Sequence, residues 1–308
     1  MKVVFHKMKK RILISGGTGF LGYHLSKNFV KKGFQVVSIS TKGPLKKRKI
    51  KKVEYIICDI TNKNILQKKL KNKKFAIVIN LAGYVHHGNL KKTYQSHYLG
   101  CKNLSEFFKN RSLDYFIQIG SGLEYGKKNS DHKENMICKP LSIYAKAKLK
   151  SSRYLLNLYK KFQFPVVILR LYQVYGPHQD QNRILPSLIH KSLQNKKFPC
   201  TSGSQIRNFL YVDDFINLVE KIVKTKRYYG NIFNVGSNKS IKIKSLINQV
   251  MSKVGLGMPE FGKIKMRKDE AKKMSPSILK VTKTYNWRPK INLSKGLTKT
   301  INYYRRDK

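Results

Sequence analysis

Seven consecutive residues, Gly16-Gly17-Thr18-Gly19-Phe20-Leu21-Gly22, constrain this chain more than any other stretch. They set Gly16, Gly19 and Gly22 at a GxxGxxG spacing, directly behind a short apolar run from Arg11 to Ser15. Ahead of them, from Leu21 to Lys32, the apolar residues Leu21, Leu25, Phe29 and Val30 recur at helical spacing until Gly33 ends the pattern. The reading is strand, tight turn, helix. Glycine tolerates positive φ in such a turn and lets backbone approach a ligand closely, while the free amides at the helix start carry the positive end of its dipole. A pyrophosphate suits that environment, so Gly16, Thr18, Gly19, Phe20, Leu21 and Gly22 are candidate ligands of a dinucleotide cofactor. A glycine turn alone is common; the strand before it and the helix after it make this one specific.

The apolar rhythm continues along the chain. Continuous runs at Val36 to Ile39, Tyr55 to Ile57, Ala76 to Asn80, Tyr115 to Gly120 and Val166 to Leu171 read as strands buried on both faces. Helical patterns fall between them at Ile65 to Leu70, Thr93 to Lys109 and Ser142 to Lys161. This alternation predicts an α/β protein with a doubly wound parallel sheet, the Rossmann arrangement. After Pro177 the rhythm changes to loops and short helices, with one more apolar segment near 231–236 placed to return to the sheet. The 308 residues divide, on this reading, into an NAD(P)-binding domain over 1–175 with that returning strand, and a smaller C-terminal substrate-binding lobe over 176–308.

Dinucleotide folds place an Asp or Glu about 20 residues beyond the turn, where it accepts hydrogen bonds from the adenosine ribose. Here Ser40 holds that place, followed by Thr41, Lys42 and a basic stretch to Lys49. Hydroxyls and ammonium groups bind a 2′-phosphate that a carboxylate repels. The sequence therefore favours NADP over NAD, with Ser40, Thr41 and Lys42 as candidate ligands.

Charge is the unusual bulk property: 65 Lys and Arg against 15 Asp and Glu leave a formal +50. Such a balance ordinarily points to nucleic acid or an anionic membrane. These lysines are scattered through nearly every segment, with no aromatic-interleaved RNA motif, which is the pattern of compositional drift. A nucleic-acid role is not expected, although the positive field attracts anionic substrates. Cys58, Cys101, Cys138 and Cys200 lie far apart and form no CxxC pair, so neither a metal site nor a disulfide framework is indicated, and a reducing cytoplasm suits the chain. The longest apolar run, Phe75 to Gly83, is too short to span a membrane, and Val3 to Phe5 is too short for a secretory signal.

Tyr144-Ala145-Lys146-Ala147-Lys148 opens a predicted helix that Ser142 caps. Tyr144 and Lys148, four apart, share one face of it. A phenol with a pKa of about 10 is a poor acid or base at neutral pH. A neighbouring ammonium favours the phenolate and brings the group toward the range that proton transfer needs. In a chain this rich in Lys and Tyr the spacing arises by chance, so the pair counts only with companions.

Those companions follow in order, and through them the sequence resembles the extended short-chain dehydrogenase/reductase family of NAD(P)-dependent nucleotide-sugar epimerases, dehydratases and 4-ketoreductases over nearly its whole length. Gly16 to Gly22 resembles the family's cofactor loop, Cys58-Asp59-Ile60 its adenine-binding segment, and Asn80-Leu81-Ala82-Gly83 its strand end beneath the cofactor. Ser121-Gly122-Leu123-Glu124-Tyr125-Gly126 is similar to the segment with the catalytic Ser or Thr, Tyr144 to Lys148 to the catalytic pair, and Leu169 to Pro177 to the stretch entering the substrate lobe. Arg207 to Asp214 resembles the family's RDFVYVDD segment, and Asn234 to Gly236, Tyr285 to Pro289 and Gly296-Leu297 complete the series.

The resemblance implies that Tyr144 exchanges a proton with a sugar hydroxyl while hydride moves between that carbon and the nicotinamide. It implies that Lys148 tunes Tyr144 and holds the nicotinamide ribose, and that Ser121 donates to the sugar oxygen. Further cofactor contacts are implied at Asp59, Ile60, Leu81, Ala82 and Gly83. For the nucleotide-sugar substrate the implied residues are Ser121, Gln173, Asn182, Arg183, Leu185 and Arg207, the last pairing with the diphosphate. A homodimer packed through 93–109 and 142–161 is implied as well.

Departures bear on the reaction. Dehydratases carry acidic residues directly after the catalytic Ser or Thr, where this chain has Gly122 and Leu123, so 4,6-dehydration is the lesser alternative. His97 and Gln173 each stand where many members have Asn. An epimerase retains NAD and a 4-ketoreductase consumes NADPH; the sequence does not rank them. A non-catalytic NAD(P)- or RNA-binding member of the fold is the alternative of another class, and the joint presence of Ser121, Tyr144 and Lys148 speaks against it.

Overall fold

In the computed structural model, which describes residues 10–84, 88–128, 131–225, 228–266 and 270–306, the apolar runs become strands. These are β1 (Arg11–Ser15), β2 (Gln35–Ser40), β3 (Val53–Ile57), β4 (Ile77–Asn80), β5 (Tyr115–Ser121) and β6 (Val166–Leu171). Three short strands, β7 (Gln173–Tyr175), β8 (Lys197–Pro199) and β9 (Ile206–Tyr211), precede β10 (Asn231–Val235). The seven-stranded sheet has the order β10-β6-β5-β4-β1-β2-β3. Pairs β1–β2, β1–β4, β2–β3 and β4–β5 are all parallel, so the doubly wound Rossmann sheet is present as expected. Strand order reverses between β1 and β4, where sheets of this kind open a crevice at the carboxyl ends of the strands.

Contacts gather the chain into two compact units. The first comprises Met1–Gln118, Ser151–Val167 and Arg227–Gly230. Its helices α1 (Phe20–Lys31) and α2 (Lys63–Leu70) bury the stripes that their spacing predicts, Leu25 and Phe29 in the one and Leu66 and Leu70 in the other. Two expectations change. β3 is not buried on both faces, because it lies at the sheet edge and leaves Glu54 and Ile57 open to solvent. The helix predicted over Thr93 to Lys109 is interrupted: α3 (Leu90–Tyr94) passes through a π-turn at Gln95–Leu99 before α4 (Gly100–Phe108). A π-turn widens the helix by one residue and is found most often where a side chain is needed in an unusual place. This one carries His97.

The second unit comprises Ile119–Lys150, Ile168–Lys226 and Asn231–Lys308. Helix α5 (Ile143–Phe162) begins in it, and α6 (Ile184–Leu193) and α7 (Val212–Lys224) follow. A small sheet joins β11 (Ser240–Lys242), β9 and β13 (Lys273–Met274), with β7 parallel to β9, while β12 (Met258–Glu260) pairs with β8. α8 (Ile243–Val254), α9 (Leu279–Tyr285) and α10 (Leu293–Arg306) complete the unit around buried Phe215, Leu246, Trp287 and Leu297. Asp214 earns its place structurally: its carboxylate accepts the backbone N–H groups of Lys290 and Ile291, each at 2.9 Å, closing the loop behind Trp287.

Candidate active site

The three glycines of the GxxGxxG spacing each have their own reason. Gly16 has φ +71°, which L side chains rarely adopt, and a Cβ there would meet Leu81 C and Ala82 N at 3.0 Å. A Cβ at Gly22 would strike Gly16 O at 2.4 Å and Gly17 Cα at 2.5 Å, so α1 packs on bare backbone. Gly19, at the start of α1, faces only Gly16 O, at 3.3 Å, and leaves its outer side open. Turn, close approach and helix packing are the three demands of a pyrophosphate cradle. The first turn of α1 holds no acidic residue that would compete with an anion for its amides.

The strand ends beside the turn are fixed by a polar relay. Asn80 Oδ1 accepts Ser15 Oγ at 2.5 Å and Ala82 N at 3.3 Å, while Asn80 Nδ2 donates to Gln118 Oε1 at 2.7 Å. That relay holds the half-buried Leu81, Ala82 and Gly83 next to Gly16. Ser40 Oγ accepts the Thr18 N–H at 3.4 Å, and Thr41 and Lys42 are exposed beyond it. Asp59 is exposed and caps its own turn through Thr61 N at 2.9 Å; Ile60 is buried, with its carbonyl held by Asn103 Nδ2 at 3.1 Å. A glycine cradle of this shape fits the pyrophosphate of a dinucleotide.

In the second unit, Ser142 Oγ accepts Ala145 N at 3.2 Å and caps α5 as its sequence predicts. Tyr144 therefore lies in the first turn and Lys148 one turn on. Lys148 Nζ donates to Ile119 O at 2.6 Å and lies 5.9 Å from the Tyr144 ring centroid. Ser121, the last residue of β5, hydrogen-bonds the Tyr144 phenol through its side chain, so all three predicted catalytic residues converge. Burial pushes the phenol's pKa up; the Ser121 hydrogen bond and the charge of Arg183 oppose that, and Glu124 reinforces it. Desolvation thus sets the direction of the shift, opposite to the expected downward tuning by the Lys148 ammonium.

The remaining candidates fall in the same unit. Arg183 precedes α6 and reaches Tyr144 electrostatically, whereas Asn182 and Gln173 are exposed and Leu185 is 1% exposed within α6. Arg207 is buried, and its guanidinium is engaged by Glu270 and by Ile206 O. Gly122 is bare for a reason: a Cβ there would meet the Tyr172 ring at 2.7 Å, and Tyr172 is held by His132 Nδ1 at 2.6 Å from its hydroxyl. The sequence assigned no role to His132, Arg170, Tyr172 or Glu270, and offered Glu124 only as the acid that would have to swing in for dehydration. For Glu124 a signal existed, since Ser121-Gly122-Leu123-Glu124 is a capping-box spacing, and the box forms.

Residues 12–236 match the NAD dependent epimerase/dehydratase family. The chain belongs to this family of enzymes, so the resemblance and the enzyme class drawn from the motifs hold. It is 29% identical over 273 residues to dTDP-D-glucose 4,6-dehydratase of Dictyostelium discoideum, covering 79% of this chain and 62% of that protein. The Homo sapiens dTDP-D-glucose 4,6-dehydratase is 25% identical over 317 residues, 96% of this chain and 90% of that one. Among solved structures, the UDP-glucuronic acid 4-epimerase of Bacillus cereus, in complex with UDP-glucuronic acid and NAD, matches with TM-score 0.88 at 27% identity over 97% of this chain and 100% of that chain.

Proposed function

We propose that this chain is an NAD(P)-dependent nucleotide-sugar epimerase or 4-ketoreductase acting through Ser121, Tyr144 and Lys148. The carrying observation is the convergence of those three side chains, with Lys148 anchored to Ile119 O and Ser121 bonded to the Tyr144 phenol. When bound, the nicotinamide supplies a hydride acceptor or donor. Tyr144 moves the proton at the reacting sugar oxygen, Ser121 donates a hydrogen bond to that oxygen, and Lys148 holds the nicotinamide ribose. Gly16, Thr18, Gly19, Phe20, Leu21, Gly22, Asp59, Ile60, Leu81, Ala82 and Gly83 serve the cofactor; Gln173, Asn182, Arg183, Leu185 and Arg207 serve the nucleotide sugar. In this division of labour residues 1–175, with the strand near 231–236, form the cofactor domain and 176–308 the substrate lobe.

NADP is favoured over NAD because Ser40, Thr41 and Lys42 replace the usual acid, although the Bacillus cereus relative carries NAD. We also read the chain as a cytoplasmic homodimer whose positive charge draws in anionic sugars; among the described residues no helix is long and apolar enough to cross a membrane. The dehydratase relatives favour elimination as a second reading. Against it stands Tyr172, which covers Gly122 where such an enzyme carries an acid.

The test is a panel of UDP-glucose, UDP-glucuronic acid and dTDP-glucose with NAD, and of 4-keto nucleotide sugars with NADH and NADPH. Tyr144→Phe is expected to lose about 10²- to 10⁴-fold in kcat. Parent-like turnover by that variant, or failure of every nicotinamide nucleotide to bind, overturns the proposal.

A further inference from the structure

Behind Ser121 lies a buried ion pair. Glu124 has no solvent exposure and Arg170 has 2%. Glu124 Oε1 accepts the Ser121 backbone N–H at 2.9 Å, and Oε2 accepts Arg170 Nε at 2.9 Å. The strand makes room for the carboxylate: a Cβ at Gly120 would meet Glu124 Oε1 at 2.7 Å. Arg170 is steadied in turn by the Tyr125 ring, 4.6 Å from its guanidinium carbon, and Tyr125 donates to Asn234 Oδ1 at 2.8 Å.

Burying two charges costs several kcal/mol per ion, and an apolar pair of similar volume commonly does as well or better for stability. What this pair adds is direction. Ser121 caps a tight turn over Gly122–Tyr125, and its Oγ accepts the Leu123 N–H at 3.2 Å. A hydroxyl has a single hydrogen. With the turn's amide held against its lone pair, that hydrogen points away from the turn, and the Tyr144 phenol is the group it meets.

We propose that Glu124, clamped by Arg170, is a positioning residue that fixes the Ser121 hydroxyl with its one hydrogen toward Tyr144 and, once the sugar is bound, toward the reacting sugar oxygen in its place; this rests on the catalytic assignment of Ser121 and Tyr144 above. The charge of Glu124 also raises the Tyr144 pKa, which supplies a readout that a merely structural role does not move.

Glu124→Gln, in the full chain and on whichever panel sugar has the highest kcat/KM, is expected to bind NADH or NADPH and the sugar within twofold of the parent. Its kcat should fall about ten- to a hundredfold, the scale of a small misplacement of a reacting group. The pKa that governs the alkaline side of its kcat profile should move down. If that variant does not fold, the apolar pair Glu124→Leu with Arg170→Leu decides, with the same loss of kcat expected. Parent-like kcat and pH profile in the folded variant overturn the positioning role. Tyr144→Phe is measured alongside: if it is inactive while Glu124→Gln matches the parent, only this inference fails. If Tyr144→Phe is itself parent-like, the catalytic assignment fails and takes the inference with it.

Discussion

Arg207 Nη2 donates to Glu270 Oε1 at 2.5 Å, and Nη1 donates to Ile206 O at 2.8 Å. A diphosphate that pairs with Arg207 therefore meets a carboxylate already in possession of it. The Arg207 and Glu270 side chains are only 8% and 20% exposed, so the cost of desolvating both charges offsets much of their attraction and leaves a net worth on the order of 1 kcal/mol. Glu270→Gln is expected to tighten UDP binding by up to about fivefold, which is the same energy expressed as affinity. Titration calorimetry at low and moderate salt checks this. Weaker binding by the variant would make Glu270 a brace for Arg207 rather than its competitor.

The His97 ring lies against Gly83 so closely that a Cβ at 83 would meet Cε1 at 1.9 Å and Nδ1 at 2.3 Å. Gly83→Ala must push the ring out of a packed site, at about 1–3 kcal/mol. His97→Ala vacates the space that the new methyl needs. The double variant should then be more stable than the two separate losses predict, by on the order of 1 kcal/mol. Urea unfolding of the four proteins measures it, and strict additivity would show that the contact carries no energy.

Local pattern made the sheet legible, because parallel strands buried between helix layers need apolar residues throughout and announce themselves as runs. Arg11–Ser15 and Val166–Leu171 appear in the fold with the bounds that their composition marks. The π-turn at Gln95–Leu99 left no such mark, since helical periodicity over 93–109 survives one inserted residue and the contact that accompanies it, the His97 ring seated on Gly83, is tertiary. Ser121, Tyr144 and Lys148 were readable because motif spacing fixes them on β5 and α5. Arg170 and Glu270 were not: each is a charge whose partner lies 46 or 63 residues away, in a chain where basic residues outnumber acids everywhere. The direction of the Tyr144 shift was misjudged for a related reason, as burial of a side chain is a property of its surroundings and not of the residue four positions on.

The proposed preference for NADP rests on Ser40. Its hydroxyl sits on the Thr18 amide at 3.4 Å, at the carboxyl end of β2 where the adenosine ribose is bound in this fold. Ser40→Asp places a carboxylate beside a 2′-phosphate and offers an acceptor to a 2′-hydroxyl. NADPH binding is expected to weaken at least about tenfold, the effect of ~1.4 kcal/mol of like-charge repulsion, with NADH unchanged or tighter. Fluorescence quenching by the two nucleotides reads out the ratio; an unaltered ratio would remove Ser40 from the adenosine site.

His132 sets an acid limit on stability. Its ring is buried between Tyr125 and Tyr172, with centroids 4.6 and 5.7 Å away, and its backbone is tied to Ser275 O and Ser277 N at 2.8 Å. Desolvation lowers its pKa from 6.5 to about 4, against the opposing charge of Asp131. Above pH 6.5 the imidazole is neutral in both folded and unfolded chains, and nothing is lost. Between 6.5 and about 4 the unfolded chain takes up a proton that the native one refuses, so stability falls with pH, and below 4 the loss levels off at about 3 kcal/mol. His132→Gln does not titrate. Its stability deficit relative to the parent should therefore shrink as pH drops from 7 to 4.5, measured as urea midpoints at four pH values. Carboxylates other than Asp131, which the charged ring also influences, titrate alike in both proteins and cancel in the difference, so parallel curves would mean that the ring is protonated as easily in the native state as in the unfolded one.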